Sequence, residues 1–378
     1  MSAARKMVVR GQLAAVVCAA ALSISLPFAR ATSAAENLPS AISDQDFWRL
    51  VTEYSEADGR FQTEYMSNED SLQFVIPALK QTIRPGGVYI GVGPEQNFTY
   101  IAALQPRVAF VIDIRRDNML EHLMYKALFE ISADRADFIG RLFSRKRPPG
   151  LDAGSSVAAL FDAYQQTETD FVMTGETVRA IVGRLTGDRG FQLSDADRTS
   201  IVAMMNTFRQ AGPYALRGTG DKTTTYAQLM AATDLDGRRQ GFLASEDSFK
   251  WVQSFEQRNL LVPVVGDFAG DKALAGIGRY VREHGSVVNV FYASNVERYL
   301  FDQGAHGRQF YANVADLPLD SSSTFIRSVT VDISLRLGLP VPEVPANWRS
   351  VVDPIQARLK AVAEGRVPTY RELFEPAR

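Results

Sequence analysis

The chain has 378 residues, 41 Lys and Arg against 43 Asp and Glu, one cysteine and three histidines. Charge this close to balance, and mildly acidic once the basic N-terminal segment is set aside, argues against nucleic acid as a partner. A lone cysteine excludes an intramolecular disulfide, and His122, His284 and His306, widely spaced and without a His-x-x-x-His pair, offer no histidine zinc site.

In chain order, Arg5, Lys6 and Arg10 precede an apolar stretch from Leu13 to Leu26, and Ala29-Arg30-Ala31 supplies small residues for cleavage. This is the pattern of a signal peptide over residues 1–31, followed by a linker over 32–42, and predicts an exported protein, periplasmic or secreted. The apolar stretch is shorter than the ~20 residues a spanning helix needs, so no stable membrane insertion is expected after leader removal. Cys18 lies inside the leader, which leaves the mature chain without a thiol. The remaining length predicts a core domain with a sizeable insertion.

Residues 43–150 read as the first part of that core. Ser43 caps a helix whose Phe47, Leu50, Val51 and Tyr54 recur at helical spacing, and a second helix over 70–83 puts Leu72, Val75, Ile76 and Leu79 on one face. Arg84-Pro85-Gly86-Gly87 stops it and leads into a strand over 87–90. A glycine turn, Gly91-Val92-Gly93, a helix over 95–104, and a strand over 108–112 ending on Asp113 follow. The next helix, 118–131, is predicted to bury Leu120, Leu123, Met124, Ala127, Leu128 and Ile131 on one side.

From 151 to 241 helical periodicity continues without a strand signal, which predicts an all-helical insertion. Its glycine-rich loop at 217–222 lacks the glycine-lysine-serine/threonine ending of a phosphate loop and reads as a surface turn. Strands return in 242–378, the second part of the core. One covers 260–265 and ends at Gly266-Asp267-Phe268, one covers 286–292, and one covers 323–331. A helix over 272–284 separates the first two, a last amphipathic helix is predicted over 351–362, and Pro340, Pro342 and Pro345 mark a surface connection. The alternation predicts an α/β fold, a mainly parallel Rossmann-like sheet with helices on both faces and a large helical insertion.

In such a sheet the carboxyl ends of the strands share one edge, where ligands sit. The cofactor-binding candidates are therefore Gly91, Gly93, Glu95, Asn97, Asp113 and Asp267. A carboxylate such as Asp113 can accept from two ribose hydroxyls, and glycines let a ligand approach the backbone. Glu95 in place of a third glycine disfavours a pyrophosphate at the helix start. The substrate-binding candidates are Arg115, Tyr292, Ser294 and Asn295. No metal site and no catalytic residue stand out. Two similar segments, Asn68-Glu69-Asp70-Ser71 and Ser245-Glu246-Asp247-Ser248, read as helix starts capped by Asn68 and Ser245; the sharper alternative is a shared acidic cluster. The Asn-x-Thr at Asn97 matches a glycosylation pattern.

The glycine loop, the acid ending the second strand and the acid after the third strand resemble the class I S-adenosylmethionine-dependent methyltransferase core, over roughly residues 84–131 and 258–330. The chain also looks like an uncharacterised group of exported bacterial proteins that carry this core. The resemblance implies S-adenosylmethionine as cofactor, with Gly91 and Gly93 at its methionine and ribose, Asp113 at the ribose and Asp267 at the adenine. Export sets the protein apart from the cytoplasmic supply of that cofactor. Three readings follow: an exported protein whose crevice binds a small molecule or envelope component, a methyltransferase acting on a small molecule, and a hydrolase using acids or a cation. The first ranks ahead of the others, and the sequence leaves open the ligand, whether there is catalysis, and the oligomeric state.

Overall fold

Ser43 accepts from the Asp46 N–H at 3.0 Å and so starts α1 (Asp44–Tyr54), whose Phe47, Leu50, Val51 and Tyr54 are the buried residues. In a computed structural model, residues 37–219, 224–339, 348–367 and 369–374 are described. The leader, residues 220–222 of the glycine-rich loop, and Pro340, Pro342 and Pro345 lie outside the described residues.

The helix expected over 70–83 divides in two. A 3₁₀ turn, Leu72–Val75, precedes α2 (Ile76–Thr82), and Pro77 sits in the first turn, where its missing N–H costs nothing. Then come β1 (Val88–Gly91), α3 (Gln96–Leu104), β2 (Val108–Asp113), α4 (Arg116–Ile131) and α5 (Arg135–Phe143). Residues 157–231 contribute α6 (Val157–Gln165), α7 (Phe171–Val182), α8 (Asp195–Ala211) and α9 (Tyr226–Ala231). The chain continues through α10 (Glu246–Gln257), β3 (Leu261–Val265), α11 (Ala273–Glu283), β4 (Val288–Ser294), α12 (Val296–Asp302) and α13 (His306–Ala315). It closes with β5 (Thr324–Thr330), α14 (Val331–Arg336), β6 (Trp348–Pro354) and α15 (Ile355–Ala363).

The strands pair into one six-stranded sheet in the order β3-β2-β1-β4-β5-β6. The first five run parallel and β6 is antiparallel to β5, so the sheet is mostly parallel, as the alternation of strands and helices requires. Every residue of β1, β2 and β3 is buried, so helices cover both faces there. Pro263 lies within β3, which it can do because β3 is an edge strand and needs only one ladder.

The C-terminal segment departs from expectation. Residues 348–354, part of which reads as helix in sequence, form β6, and helix begins only at Ile355. The β-branched pair Val351-Val352 suits an edge strand, and Pro354 closes it and stands at the N-cap of α15.

The order of strands reverses between β1 and β4. Chain connections leave β1 toward β2 and β3 on one side and return to β4 on the other, which opens a crevice beyond the carboxyl ends at that point.

Candidate functional site

Asp113 is the last residue of β2, and its strand partner is Val265, the last residue of β3. The chain therefore releases Asp113 and the Gly266-Asp267-Phe268 turn side by side. Both reach one cavity of about 180 Å³, which also receives Gly93 from the turn after β1 and Tyr292, Ser294 and Asn295 from the end of β4. Arg115 lines the same space. Seven of the residues singled out from sequence thus meet at one site; Gly91, Glu95 and Asn97 do not line it.

Their places explain why. A Cβ on Gly91 would fall 2.0 Å from Asn97 Oδ1, so the close approach this glycine allows is to Asn97. Asn97, fully buried, accepts from the Tyr89 hydroxyl at 2.8 Å and donates to the carbonyls of Val92, Gly93 and Pro94 at 3.0, 3.0 and 2.8 Å. It clamps the turn from within, and in the folded chain its amide is closed to glycosylation. Glu95 is equally buried and accepts from the Ser67 N–H at 3.1–3.2 Å through both oxygens. Burial pushes its carboxyl up to about 8.

Gly93 has φ +76°, the left-handed region that favours glycine. Its carbonyl accepts from His122 at 2.9 Å, which places the proton on Nε2. His122 belongs to the buried body of α4, and burial pushes its pKa down to about 4. His284 caps the end of α11 and His306 begins α13.

Asp113 is occupied. The Arg115 N–H donates to Oδ1 at 2.9 Å, Arg115 Nε to the same oxygen at 3.2 Å, and Nη2 to Oδ2 at 3.4 Å. A carboxylate offers about four lone-pair sites, and Arg115 takes up three of them. Burial raises the Asp113 pKa, and the Arg115 guanidinium works against that shift. Arg115, the candidate for gripping a ligand anion, instead grips its own neighbour.

Asp267 is less committed. Its Oδ1 accepts from the Ala269 N–H at 2.8 Å, and its N–H donates to Glu56 Oε2 at 3.1 Å. Glu56, not singled out in the sequence, organises this loop by accepting also from the N–H groups of Lys272 and Ala273 at 3.2 and 2.9 Å. Tyr292, fully buried, accepts from Gln96 Nε2 at 3.1 Å. Ser294 ends β4 at φ 52°, an uncommon conformation for a residue with a Cβ, and its Oγ donates to Glu69 Oε1.

The two acidic segments therefore diverge. Glu69 enters the crevice wall, whereas Glu246 sits at the start of α10 beside Arg135 Nε at 3.5 Å. Ser245 is a true N-cap, accepting from the Ser248 N–H at 3.1 Å. Asn68 caps nothing; its Nδ2 donates to the Thr219 carbonyl at 3.2 Å. Among the described residues no group of three or more His, Cys, Asp and Glu is arranged to hold a metal ion.

Sequence reasoning passed over Phe61, Glu64 and Tyr299, which also line the crevice. Phe61 and Glu64 lie between helices in a segment without periodicity, so only their exposure to a cavity distinguishes them. The crevice continues outward into a second compartment of about 460 Å³ that shares Phe61, Glu64, Asn68, Ser294, Asn295 and Tyr299 with the first.

A profile of the family described as "Domain of unknown function (DUF7790)" matches residues 65–374, and the chain belongs to that family. No curated protein matches it.

Proposed function

We propose that this DUF7790 member is an exported small-molecule-binding protein that uses a methyltransferase-like Rossmann crevice as its ligand site. The observation that carries the reading is the convergence of Gly93, Asp267, Tyr292, Ser294 and Asn295, from the ends of β3 and β4 and the glycine turn after β1, on one cavity at the reversal of strand order. Hydroxyl and carboxylate groups gathered there suit a compact ligand rich in hydroxyls.

The fit to S-adenosylmethionine is poor. The acid that would take the ribose is already held by the backbone and guanidinium of Arg115. Binding is therefore preferred to methyl transfer. The hydrolase reading loses its support in the separation of Glu69 from Glu246.

Thermal shift with adenosine and S-adenosylhomocysteine tests the reading. We expect adenosine to raise the midpoint of the wild type and not of Asp267→Ala, with S-adenosylhomocysteine no better than adenosine. At a hundredfold excess over Kd the gain would be about 2.7 kcal/mol. A much larger shift with S-adenosylhomocysteine would favour the methyltransferase, and no shift with either would remove the nucleoside-like ligand. For export, the mature protein should fractionate outside the cytoplasm with its N-terminus near residue 32; recovery of the full-length chain in the cytosol would overturn it.

A further inference from the structure

The outer compartment has a chemical character of its own. Phe61, Glu64, Asn68, Ser294, Tyr299 and Trp348 line it, and Glu69, which lines the inner one, is bonded to Ser294, a residue that lines both. Glu69 is 2 % exposed, yet among the described residues no lysine or arginine comes within ion-pair distance of it or of Glu64. Ser294 donates to Glu69 Oε1, while Oε2 accepts no aligned hydrogen bond although the hydroxyls of Tyr292 and Ser328 stand nearby. Burial raises the pKa of both carboxylates.

An anion withdrawn from water without a counter-charge is costly, and the cost falls when a cation arrives. Arg115 does not supply it, because its guanidinium is committed to Asp113; toward residue 64 it offers only an Nη1 donation to the main-chain carbonyl at 3.4 Å. Arg60 lines the inner compartment from the surface. The same crevice carries aromatic rings. Phe61, 43 % exposed, meets the Tyr299 ring edge-to-face at 5.0 Å, and ring faces attract organic cations. Carboxylates and aromatic rings lining one crevice, without the ligand set of a metal site among the described residues, match an alkylated or alkyl-bearing ammonium better than a bare ion.

We propose that the crevice where the two compartments meet is a subsite for an organic ammonium group, its charge met by Glu64 and Glu69 and its carbon chain lying against Phe61 and Tyr299. This rests on the reading of the crevice as a ligand site and names the chemistry of one end of that ligand.

Calorimetric titration of the mature protein with choline and with spermidine, at low ionic strength and against equal sodium chloride, tests it. The expected result is saturable binding of at least one amine, weakened tenfold or more in Glu64→Gln and in Glu69→Gln. Glu64→Gln changes a half-buried side chain, so it reports even if the buried Glu69→Gln fails to fold. No amine binding beyond the salt control, or binding that both variants retain, overturns the proposal. The two readings fail separately. Adenosine binding that depends on Asp267 without amine binding leaves the inner site and removes the subsite, whereas amine binding that depends on Glu64 without adenosine binding supports the subsite.

Discussion

Asp113 and Glu121 show two outcomes for a carboxylate taken out of water. Asp113 is held by an arginine two residues along the chain, so its charge is matched locally. Glu121, 1 % exposed on α4, accepts a hydrogen bond at neither oxygen, and burial together with the neighbouring Glu95 pushes its pKa well above the usual range. The folded chain thus holds a proton on Glu121 that the unfolded chain releases above about pH 4.3. Replacement by the isosteric, neutral amide removes that linkage. We expect Glu121→Gln to be more stable than the wild type at pH 8 by about 2 kcal/mol, with the gap closing toward pH 5. Urea unfolding at the two pH values measures this; a variant less stable at pH 8 would show that the carboxyl has a partner it needs.

At the scale of elements, α4 is the clearest departure from sequence expectation. A one-sided helix was expected, yet Asn118 through Phe129 are all buried, including Glu121, His122, Tyr125 and Lys126. The reason is tertiary: α7, α8 and α10 pack over the flank that periodicity assigns to solvent. The junction with α8 is built by Asp197, which completes a capping box with Ser194 and accepts from Arg116 Nε and Nη2 at 2.7 and 2.9 Å. One carboxylate thereby starts one helix and ties down the first turn of another. Asp197→Ala should cost about 2–3 kcal/mol and Ser194→Ala about 1 kcal/mol. Equal losses in chemical denaturation would mean that the arginine contributes nothing to the junction.

Across the whole molecule the buried acids set the pH dependence. Glu95, pushed up to about 8, and Glu121, raised well above the usual carboxyl range, contribute stability that is present at acidic pH and is lost as pH rises through their folded values. His122, pushed down to about 4, acts in the opposite sense, but only below its unfolded value near 6.5. Between about pH 6.5 and 8 the acids act without that opposition, so the urea midpoint should fall across this interval; a rising midpoint would contradict the assignment. The same burial limits what was legible in advance. Local pattern sufficed for β1 through β5, for the glycine turn and for the positions of Asp113 and Asp267, because strand periodicity, turn chemistry and chain order are carried by neighbouring residues. The roles of those positions were not carried by pattern. Arg115 turns back on Asp113 and Asn97 fills the space at Gly91, side-chain directions that residue order does not state, and the meeting of Glu64, Glu69 and Tyr299 at one crevice joins segments far apart in the chain. Residue pattern alone determined a mostly parallel α/β sheet and the edge on which its crevice opens. Only packing decided which carboxylates are already paired and which still face the crevice without a cation, because desolvation and counter-charge depend on what the rest of the fold brings within a few ångströms.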